Sequence, residues 1–340
     1  MRILAGDIGG THTRLVYVQD DTWPSVRYEK HYASGKYPGL IKIIEAFLLE
    51  YKLERSFDAV CLAVAGPVIA GQAALTNLPW QVCEAELVTL LQTECVSLIN
   101  DLVAVAHAIP DLEYADLLLV QQGGGYPARQ VTQFAEFSAV VIGVGTGLGA
   151  AHLVCQDDYY QVFSSEAGHT SFAPVTPIQQ QLLTWLQREH THVSVEMLLS
   201  GRGIETLYQF FRDVLGMEES SEVRAAMQKM DPAQVISRFA EVEGDLLCIT
   251  TLDCFMEIFA AVVGDIALHH YPLEGVYLSG GIALKLQRLL TAPASTFSER
   301  FASKGIMQAN LQALPVNLII THTPGLGGAL SYARRQHASI

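Results

Sequence analysis

Basic residues are few in this chain and nowhere concentrated. Among its 340 residues, 21 lysines and arginines face 35 aspartates and glutamates, so the formal net charge is −14 at pH 7. Proteins that bind nucleic acid or an anionic membrane surface need a dense basic patch, because that patch supplies the electrostatic driving force. We therefore expect no nucleic-acid partner and no membrane partner.

Cysteine and histidine lack the spacing of a metal site. The six cysteines form no Cys-x-x-Cys pair, which predicts buried thiols and no zinc centre. The chain opens on a strand pattern without a basic region and cleavage site. Its most apolar segment, Phe259–Gly264, is interrupted by Asp265, and we interpret it as too short to cross a bilayer. These features predict a cytoplasmic protein.

Several familiar catalytic and nucleotide motifs are also missing. The sequence has neither the GxxxxGK[ST] phosphate loop nor the GxSxG nucleophile elbow. Gly145–Ala150 does fit the relaxed dinucleotide pattern GxGxxA. That fingerprint opens a helix, whereas Ala151–Val154 continues as a strand, so we discount a dinucleotide site.

The patterns that are present alternate between strand and helix. Through the first part of the chain this alternation predicts an α/β domain with a mixed sheet. A less regular bridge is expected at 110–137, and mostly helical segments follow, among them 195–211. A chain of this length predicts two domains, which we place at 1–110 plus 323–340 for the small domain and at 111–322 for the large one.

The first candidate site is the tip of a β-hairpin at the start of the chain. Two apolar runs flank a turn rich in glycine, whose backbone N–H groups can hold phosphate. A carboxylate in the same turn would repel phosphate unless a divalent cation lay between them. The turn therefore predicts a magnesium–nucleotide site. Its residues are Gly6, Asp7, Ile8, Gly9, Gly10 and Thr11.

A second hairpin pattern at 138–154 repeats this design, with Gly145, Thr146 and Gly147 at its tip. The repetition suggests two related half-domains, although a repeat this short can arise by chance. Glycine turns also follow two later strands, at Ser279–Gly281 and Gly325–Gly328. Each turn alone is an ordinary strand end. All four together are typical of a protein folded around a nucleotide.

With these turns in the observed order, the chain resembles the superfamily of sugar kinases, actin and heat-shock-chaperone ATPases. Within that superfamily it is similar to the bacterial glucokinase family typical of proteobacteria. It lacks the CxCGxxGC zinc cluster of the ROK sugar kinases. The resemblance implies two ribonuclease-H-like (actin-type ATPase) α/β domains, an inter-domain cleft for glucose, and ATP with Mg²⁺. The oligomeric state stays open, a homodimer included.

The resemblance also implies the role of Asn100 and Asp101, which follow a strand and enter a helix. Asp101 matches the family's catalytic base, which takes the proton from the sugar 6-hydroxyl, and Asn100 would contact the substrate. An aspartate at this place is equally suited to cap the helix, so that alternative remains.

Two further motifs carry sugar ligands in the family. Glu166-Ala-Gly-His169 resembles Glu-Gly-Gly-His, and Ser194-Val-Glu196 matches Ser-Ala-Glu. By this resemblance Glu166, His169 and Glu196 would hydrogen-bond sugar hydroxyls. Alternatively, Glu196 is a solvated helix residue and His169 a loop histidine with satisfied partners.

The resemblance further implies that Asp7 reaches Mg²⁺ through water and that both hairpin tips line the phosphates. Glycines of the two later turns would lie near the nucleoside. Residues that would close the other wall of the sugar site are Gly66, Pro67, Thr76, Asn77 and Trp80.

Two rival functions remain at this point. The nearest is the same chemistry on another hexose or with another phosphoryl donor. The other is a non-catalytic ATP-binding switch of the same superfamily, for which Glu166, His169 and Glu196 would have no purpose.

Overall fold

The described residues fold into a mixed α/β structure with three β-sheets. The structure is a computed structural model that describes residues 1–19, 26–75, 78–124, 136–156, 159–272, 274–292 and 295–338. It divides into two compact units. Unit 1 comprises Met1–Glu113, Tyr160–Ser164 and Thr321–Ile340, and unit 2 comprises Tyr114–Tyr159 and Ser165–Ile320. The predicted α/β class is confirmed.

The described residues of the first unit form a five-stranded sheet, a small three-stranded sheet and four α-helices. In chain order its elements are β1 (Arg2–Ile8), β2 (His12–Gln19), β3 (Val26–Ala33), α1 (Leu40–Tyr51), β4 (Ala59–Val64), β5 (Val68–Ile69), β6 (Gln72–Ala74), β7 (Gln81–Cys83), α2 (Glu84–Leu91), β8 (Val96–Asn100) and α3 (Asp101–Ala108). The terminal helix α13 (Pro324–Ala338), numbered last in chain order, also belongs to this unit.

The second unit combines one large sheet with most of the helices. Its elements are β9 (Leu117–Gln121), β10 (Glu136–Val144), β11 (Leu148–Gln156), α4 (Pro177–Leu186), α5 (Gly201–Gln209), α6 (Ser221–Met227), α7 (Pro232–Arg238), α8 (Leu246–His270), β13 (Val276–Ser279), α9 (Gly281–Lys285), α10 (Gln287–Thr291), α11 (Phe297–Ala302), α12 (Gln308–Gln312) and β14 (Val316–Ile319). Strand β12 (Tyr159–Ser165) is an edge strand of the large sheet, although Tyr160–Ser164 are counted in unit 1. Single π-helical turns, Phe210–Val214 and Phe239–Glu243, extend α5 and α7.

Sheet 1 has the order β3-β2-β1-β4-β8. The β1–β2 and β2–β3 pairs are antiparallel, whereas β4 runs parallel to β1 and β8 parallel to β4. In register, Ile8 lies opposite Val64, and Val64 lies opposite Asn100. The carboxyl ends of these three parallel strands therefore meet at one edge of the sheet.

Alternation along β1 explains how sheet 1 buries both faces. Ile3 and Ala5 pack with Leu326 and Leu330 of α13, whereas Leu4 belongs to the core shared with α1 and α2. Successive strand side chains point to opposite faces, so a strand buried on both sides is apolar throughout. This explains the continuous apolar run at the start of the sequence.

Sheet 2 has the order β12-β11-β10-β13-β14-β9. Its hairpin β10–β11 is antiparallel, and β13 and β14 run parallel to β10. Leaving out β9, the five strands of sheet 2 lie side by side in the order third, second, first, fourth and fifth along the chain. The five strands of sheet 1 lie in the same order. The two glycine-tipped hairpins thus hold equivalent places in their sheets.

Two local expectations were wrong. The bridge predicted at 110–137 contains strand β9, which pairs antiparallel with β14 about 200 residues later, and no local pattern encodes that pairing. The helix predicted from Val195 begins only at Gly201. Ser200 caps it by accepting from the Gly203 N–H, and Ser194 is held in a β-bridge with Ser171.

The apolar segment near Phe259 belongs to helix α8, Leu246–His270. By length and composition α8 could cross a membrane, and it is the one such helix within the described ranges. In its most apolar window 67% of the residues are buried inside the protein. The prediction that this segment is too short was wrong, since the helix continues through Asp265 to His270. Buried core helices of soluble proteins pass the same test.

The crossing of α13 and α3 depends on Gly328. A Cβ at Gly328 would lie 1.6 Å from the Ala104 carbonyl oxygen, whereas a Cβ at Gly327 would meet nothing within 4 Å. We expect Gly328→Ala to lower the free energy of unfolding by about 2 kcal/mol or more. Gly327→Ala, the matched control on the same helix, should be neutral or stabilising by up to about 1 kcal/mol. Thermal denaturation measures both, and equal stability of the two variants would contradict the packing argument.

Candidate active site

Hydrogen bonds inside unit 1 fix the tip of its first hairpin. The Gly9 N–H donates to the His12 carbonyl (2.9 Å), and the Ser34 hydroxyl donates to the Gly9 carbonyl (2.8 Å). The fully buried hydroxyls of Thr13 and Ser34 are 3.0 Å apart. The Ser34 N–H donates to the Thr11 carbonyl (3.0 Å). The backbone from Gly9 to Thr11 is thus held in one shape at the end of the sheet.

Gly6 and Ile8 lie inside β1 and serve the core. A Cβ at Gly6 would come within 2.7 Å of Leu62 and 2.9 Å of Leu15, so the close packing of those leucines requires glycine. The Ile8 side chain is fully buried. Any contact of these two residues with a nucleotide would therefore have to come from backbone atoms.

Two carboxylates lie at the edge where the parallel strands of sheet 1 end. Burial raises the pKa of Asp7, while the positive charge of Arg14 opposes the shift. Burial also raises the pKa of Asp101 from 3.8 to about 6, against a hydrogen bond from the Leu102 N–H, and the charge of Asp7 adds to the rise. A carboxylate with a pKa near neutrality can accept and release a proton at physiological pH.

Asn100 is the residue that caps α3. Its Oδ1 accepts from the N–H groups of Leu102 (2.9 Å) and Val103 (3.3 Å), and its Nδ2 donates to the Gly66 carbonyl (3.2 Å). The alternative role of Asp101 as the N-cap was therefore wrong. Asp101 is the first residue of the helix, and its Oδ1 accepts from the Leu102 N–H at 2.9 Å.

The start of α13 also contacts this edge. A Cβ at Gly325 would lie 3.4 Å from the carboxylate of Asp7. The N-terminal end of a helix carries partial positive charge, which favours a carboxylate or phosphate beside it. Of the glycines predicted near a nucleoside, Gly325 therefore adjoins the acidic pair, whereas Gly328 is used for packing.

In unit 2 a hydrogen bond links the second hairpin tip to Glu196. The Gly145 N–H donates to the Gly147 carbonyl (2.9 Å), and Glu196 Oε2 accepts from the Leu148 N–H (2.9 Å). A Cβ at Gly147 would lie 2.3 Å from that same carboxylate oxygen. Glu196 is half-buried and lies in a turn, so the alternative of a solvated helix residue was wrong.

The loop Glu166–His169 packs on the same tip. The Glu196 N–H donates to the Gly168 carbonyl (2.8 Å), and a Cβ at Gly168 would lie 2.1 Å from the Leu148 carbonyl oxygen. Glu166 and His169 have side chains that are 78% and 64% exposed and approach each other to 3.9 Å. Both side chains are accessible to a ligand, while the backbone that carries them is held.

The donor set at Asp7 and Asp101 suits one kind of metal ion. Within the described part of the chain, no group of three or more histidine, cysteine, aspartate or glutamate side chains could hold a metal. Magnesium in nucleotide sites is held by one or two carboxylates together with phosphates and water. One or two acids beside a glycine tip fit that arrangement and do not fit an all-protein metal cage.

Each unit therefore gathers part of the predicted site. Unit 1 brings together Asp7, Asn100 and Asp101 with the tip Gly9–Thr11, and unit 2 brings together the tip Gly145–Gly147 with Glu166, His169 and Glu196. Thr76 and Asn77 lie outside the described residues, and Trp80 is buried in the core. Sequence reasoning missed the role of Ser34, because a buried hydroxyl pair 21 residues apart, Thr13 with Ser34, leaves no short motif.

Comparison with known proteins places the chain among sugar kinases. A family model described as Glucokinase matches residues 4–336. The curated glucokinase of Nostoc sp. (strain PCC 7120) is 37% identical, over 98% of this chain and 99% of that protein. The glucokinase of Tolumonas auensis is 33% identical, over 98% of each. The chain belongs to the glucokinase family, which confirms the family expected from the sequence.

Solved structures of glucokinases are also similar to this chain. The crystal structure of a glucokinase from an Antarctic psychrotroph matches with a TM-score of 0.82 and 33% identity, over 98% of this chain and 99% of that one. A glucokinase from Balamuthia mandrillaris, solved in complex with glucose, matches with a TM-score of 0.80 and 21% identity, over 98% and 93%. Because the identity to the Balamuthia mandrillaris protein is only 21%, that match supports the fold alone.

The raised pKa of Asp101 predicts a pH-dependent stability. Because the pKa is higher in the folded protein than in the unfolded chain, stability is lost as the pH rises from about 4 through about 6. We expect Asp101→Asn to be more stable than wild type by about 1–3 kcal/mol at pH 7.5, and the gain to shrink towards pH 4.5. Melting temperatures across this range test it. A pH-independent difference, or an equal gain from Glu166→Gln on an exposed carboxylate, would contradict it.

Proposed function

We propose that this protein transfers the γ-phosphoryl group of ATP to the 6-hydroxyl of D-glucose, giving ADP and glucose 6-phosphate. The observation that carries the proposal is the acidic pair of Asp7 and Asp101, which lies at the sheet edge beside a fixed glycine tip. Membership of the glucokinase family confirms the predicted class of enzyme. A ROK glucokinase of Streptomyces griseus, similar in fold, was solved in complex with glucose and AMPPNP.

We infer that each unit is a ribonuclease-H-like domain. The support is the strand order that sheet 1 shares with sheet 2, each with a glycine-tipped hairpin in an equivalent place. The proposed reaction assigns the base to unit 1 and the sugar ligands to unit 2. The predicted domain limits and the cleft that would hold the sugar stay predictions.

Asp101 would act as the general base. Attack on phosphorus needs an oriented hydroxyl, and a carboxylate at hydrogen-bond distance both aligns that hydroxyl and accepts its proton. Burial suits Asp101 for this work, because it keeps bulk water away and brings the pKa to about 6. General-base assistance of this kind contributes roughly 10²- to 10⁴-fold in rate.

Glu166, His169 and Glu196 would bind the sugar. A carboxylate can accept from two neighbouring hydroxyls, and the exposed pair Glu166 and His169 supplies one acceptor and one ring nitrogen at the loop surface. A site built to hydrogen-bond hydroxyls discriminates strongly against analogues that lack them. Selectivity for glucose would follow from the number and direction of these acceptors.

The hairpin tips would hold the phosphates of ATP through their N–H groups. Gly10 and Thr11 would supply such groups in unit 1, and Thr146 and Gly147 would supply them in unit 2. The Gly145 N–H is used within the tip, because it donates to the Gly147 carbonyl. Asp7 would hold Mg²⁺, through water. Bound there, the ion would neutralise charge on the phosphates, and phosphoryl transfer depends mainly on such neutralisation and on positioning.

A panel of sugars and donors tests the substrate assignment. We expect turnover with glucose and ATP in a coupled assay to exceed that with mannose or N-acetylglucosamine, and that with ADP or polyphosphate as donor. The reason for the sugar preference is that the Leu148 N–H holds the Glu196 carboxylate, so this acceptor follows a displaced hydroxyl poorly. Calorimetry showing nucleotide binding without sugar binding would instead favour the ATP-binding switch.

Asp101→Asn tests the base. We expect kcat to fall by about 10²- to 10⁴-fold while the KM for glucose changes little, because the amide keeps its hydrogen-bonding shape but cannot take the proton. In wild type, kcat/KM should fall below about pH 6 as Asp101 becomes protonated. Turnover in the variant close to that of wild type would remove Asp101 from this role.

A further inference from the structure

Ser34 is bonded to the first hairpin tip through its side chain and through its backbone. Its hydroxyl donates to the Gly9 carbonyl (2.8 Å), and its N–H donates to the Thr11 carbonyl (3.0 Å). The Ser34 carbonyl in turn accepts from the Tyr37 N–H (3.0 Å), and the residue is fully buried. Ser34 is therefore fixed in place, and two carbonyl groups of the tip are held towards it.

The Thr13 hydroxyl lies behind this contact. It is 3.0 Å from the Ser34 hydroxyl oxygen and is also fully buried. A serine hydroxyl has one hydrogen, which Ser34 uses on Gly9, so Thr13 is the donor between the two hydroxyls. Of these two hydrogen bonds, only the one from Ser34 reaches the tip.

The bond from Ser34 fixes the direction of the peptide group between Gly9 and Gly10. In a planar trans peptide the carbonyl and the following N–H point in opposite directions. Because the Gly9 carbonyl is held towards buried Ser34, the Gly10 N–H points away from Ser34. In the described part of the chain no group accepts from the N–H of Gly10 or of Thr11. Both N–H groups are thus left for a ligand.

Without that bond the same peptide group could turn over easily. Glycine has no Cβ and adopts both signs of φ, and this peptide lies between two glycines. A half-turn would place the Gly9 carbonyl oxygen where the Gly10 N–H lies. An N–H binds phosphate, whereas a carbonyl oxygen repels it. The hydroxyl of Ser34 therefore decides which of the two groups the tip presents.

We propose that Ser34 is a positioning residue for the reaction, whose hydroxyl holds the Gly9–Gly10 peptide so that the Gly10 N–H faces the phosphates of ATP. The inference rests on the proposed function, because it takes the first tip as a phosphate site. Ser34 acts through the tip and does not touch the nucleotide, since it is fully buried.

Ser34→Ala removes the donor to Gly9 and keeps the backbone bonds of residue 34. We expect the Kd of the ATP analogue AMPPNP with Mg²⁺ to rise about fivefold or more, because a hydrogen bond to a charged group is weakened. The KM for ATP should rise by a similar factor, while kcat falls less than about threefold. Isothermal titration calorimetry gives the Kd, and steady-state kinetics with glucose give the other two constants.

Thr13→Val is the matched control. Valine keeps the shape of threonine at this buried position but cannot donate to Ser34, whose own bond to Gly9 remains. We expect the Kd of AMPPNP and the KM for ATP to stay within about twofold of wild type. A merely structural effect of Ser34→Ala would differ, because partial unfolding lowers the active fraction, and hence kcat, without changing KM. Melting curves give the folded fraction of each variant.

Ser34→Cys tests the donor with a side chain of similar size. The thiol is a weaker donor than the hydroxyl, so the Kd of AMPPNP should lie between those of wild type and Ser34→Ala. A Kd no lower than that of Ser34→Ala would count against the hydrogen bond as the cause.

Hydrogen exchange of the free protein tests the ordering without any nucleotide. The Gly9 N–H donates to the His12 carbonyl (2.9 Å), so its exchange reports how often the tip opens. We expect this amide to exchange faster in Ser34→Ala than in wild type, and at the wild-type rate in Thr13→Val.

Several results would overturn the role of Ser34. These are wild-type affinity for AMPPNP in folded Ser34→Ala, an equal loss of affinity in Thr13→Val, a fall in kcat with KM unchanged, or unchanged exchange of the Gly9 amide. The proposed function fails in a different way, if wild type binds no AMPPNP or does not phosphorylate glucose. If wild type does both and Ser34→Ala has the same constants, the function stands and the positioning by Ser34 is refuted.

Discussion

The register of three parallel strands brings the candidate site residues of unit 1 together. Ile8, Val64 and Asn100 lie opposite one another in β1, β4 and β8, so residues at those strand ends come together although they are far apart in sequence. A slip of one residue would send each side chain to the other face of the sheet. The cap of α3, the neighbourhood of Asp7 and Asp101, and the raised pKa of Asp101 all depend on this alignment.

At the acidic edge, the function proposed for Asp7 and Asp101 opposes the stability of the fold. Burial raises the pKa of both Asp7 and Asp101, because the charged form of each carboxyl is less stable in the folded protein than in water. The stability of the fold alone would not favour two buried carboxyl groups at one edge. Apolar packing on both faces of sheet 1, with α13 on one side and α1 and α2 on the other, supplies a rigid support that tolerates it.

Unit 2 organises its part of the site differently, through backbone contacts around small residues. Gly147 makes room for the Glu196 carboxylate, and Gly168 makes room for the Leu148 carbonyl. Glycines that resemble phosphate-binding residues in the sequence thus also serve close packing, as Gly6 does in unit 1. The same residue type answers both needs, because each requires the backbone to approach another group without a Cβ between them.

The sequence by itself determined the α/β class, both glycine-tipped hairpins and the glucokinase family. Each of these features depends on residues close together in the sequence, as a periodicity or a short motif. Tertiary structure alone decided that Leu117–Gln121 is a strand, that Asn100 rather than Asp101 caps α3, that Ser34 holds the first tip, and that Glu196 bonds to the second. Those features depend on pairing partners and close approaches between segments distant in the chain, which no local pattern specifies.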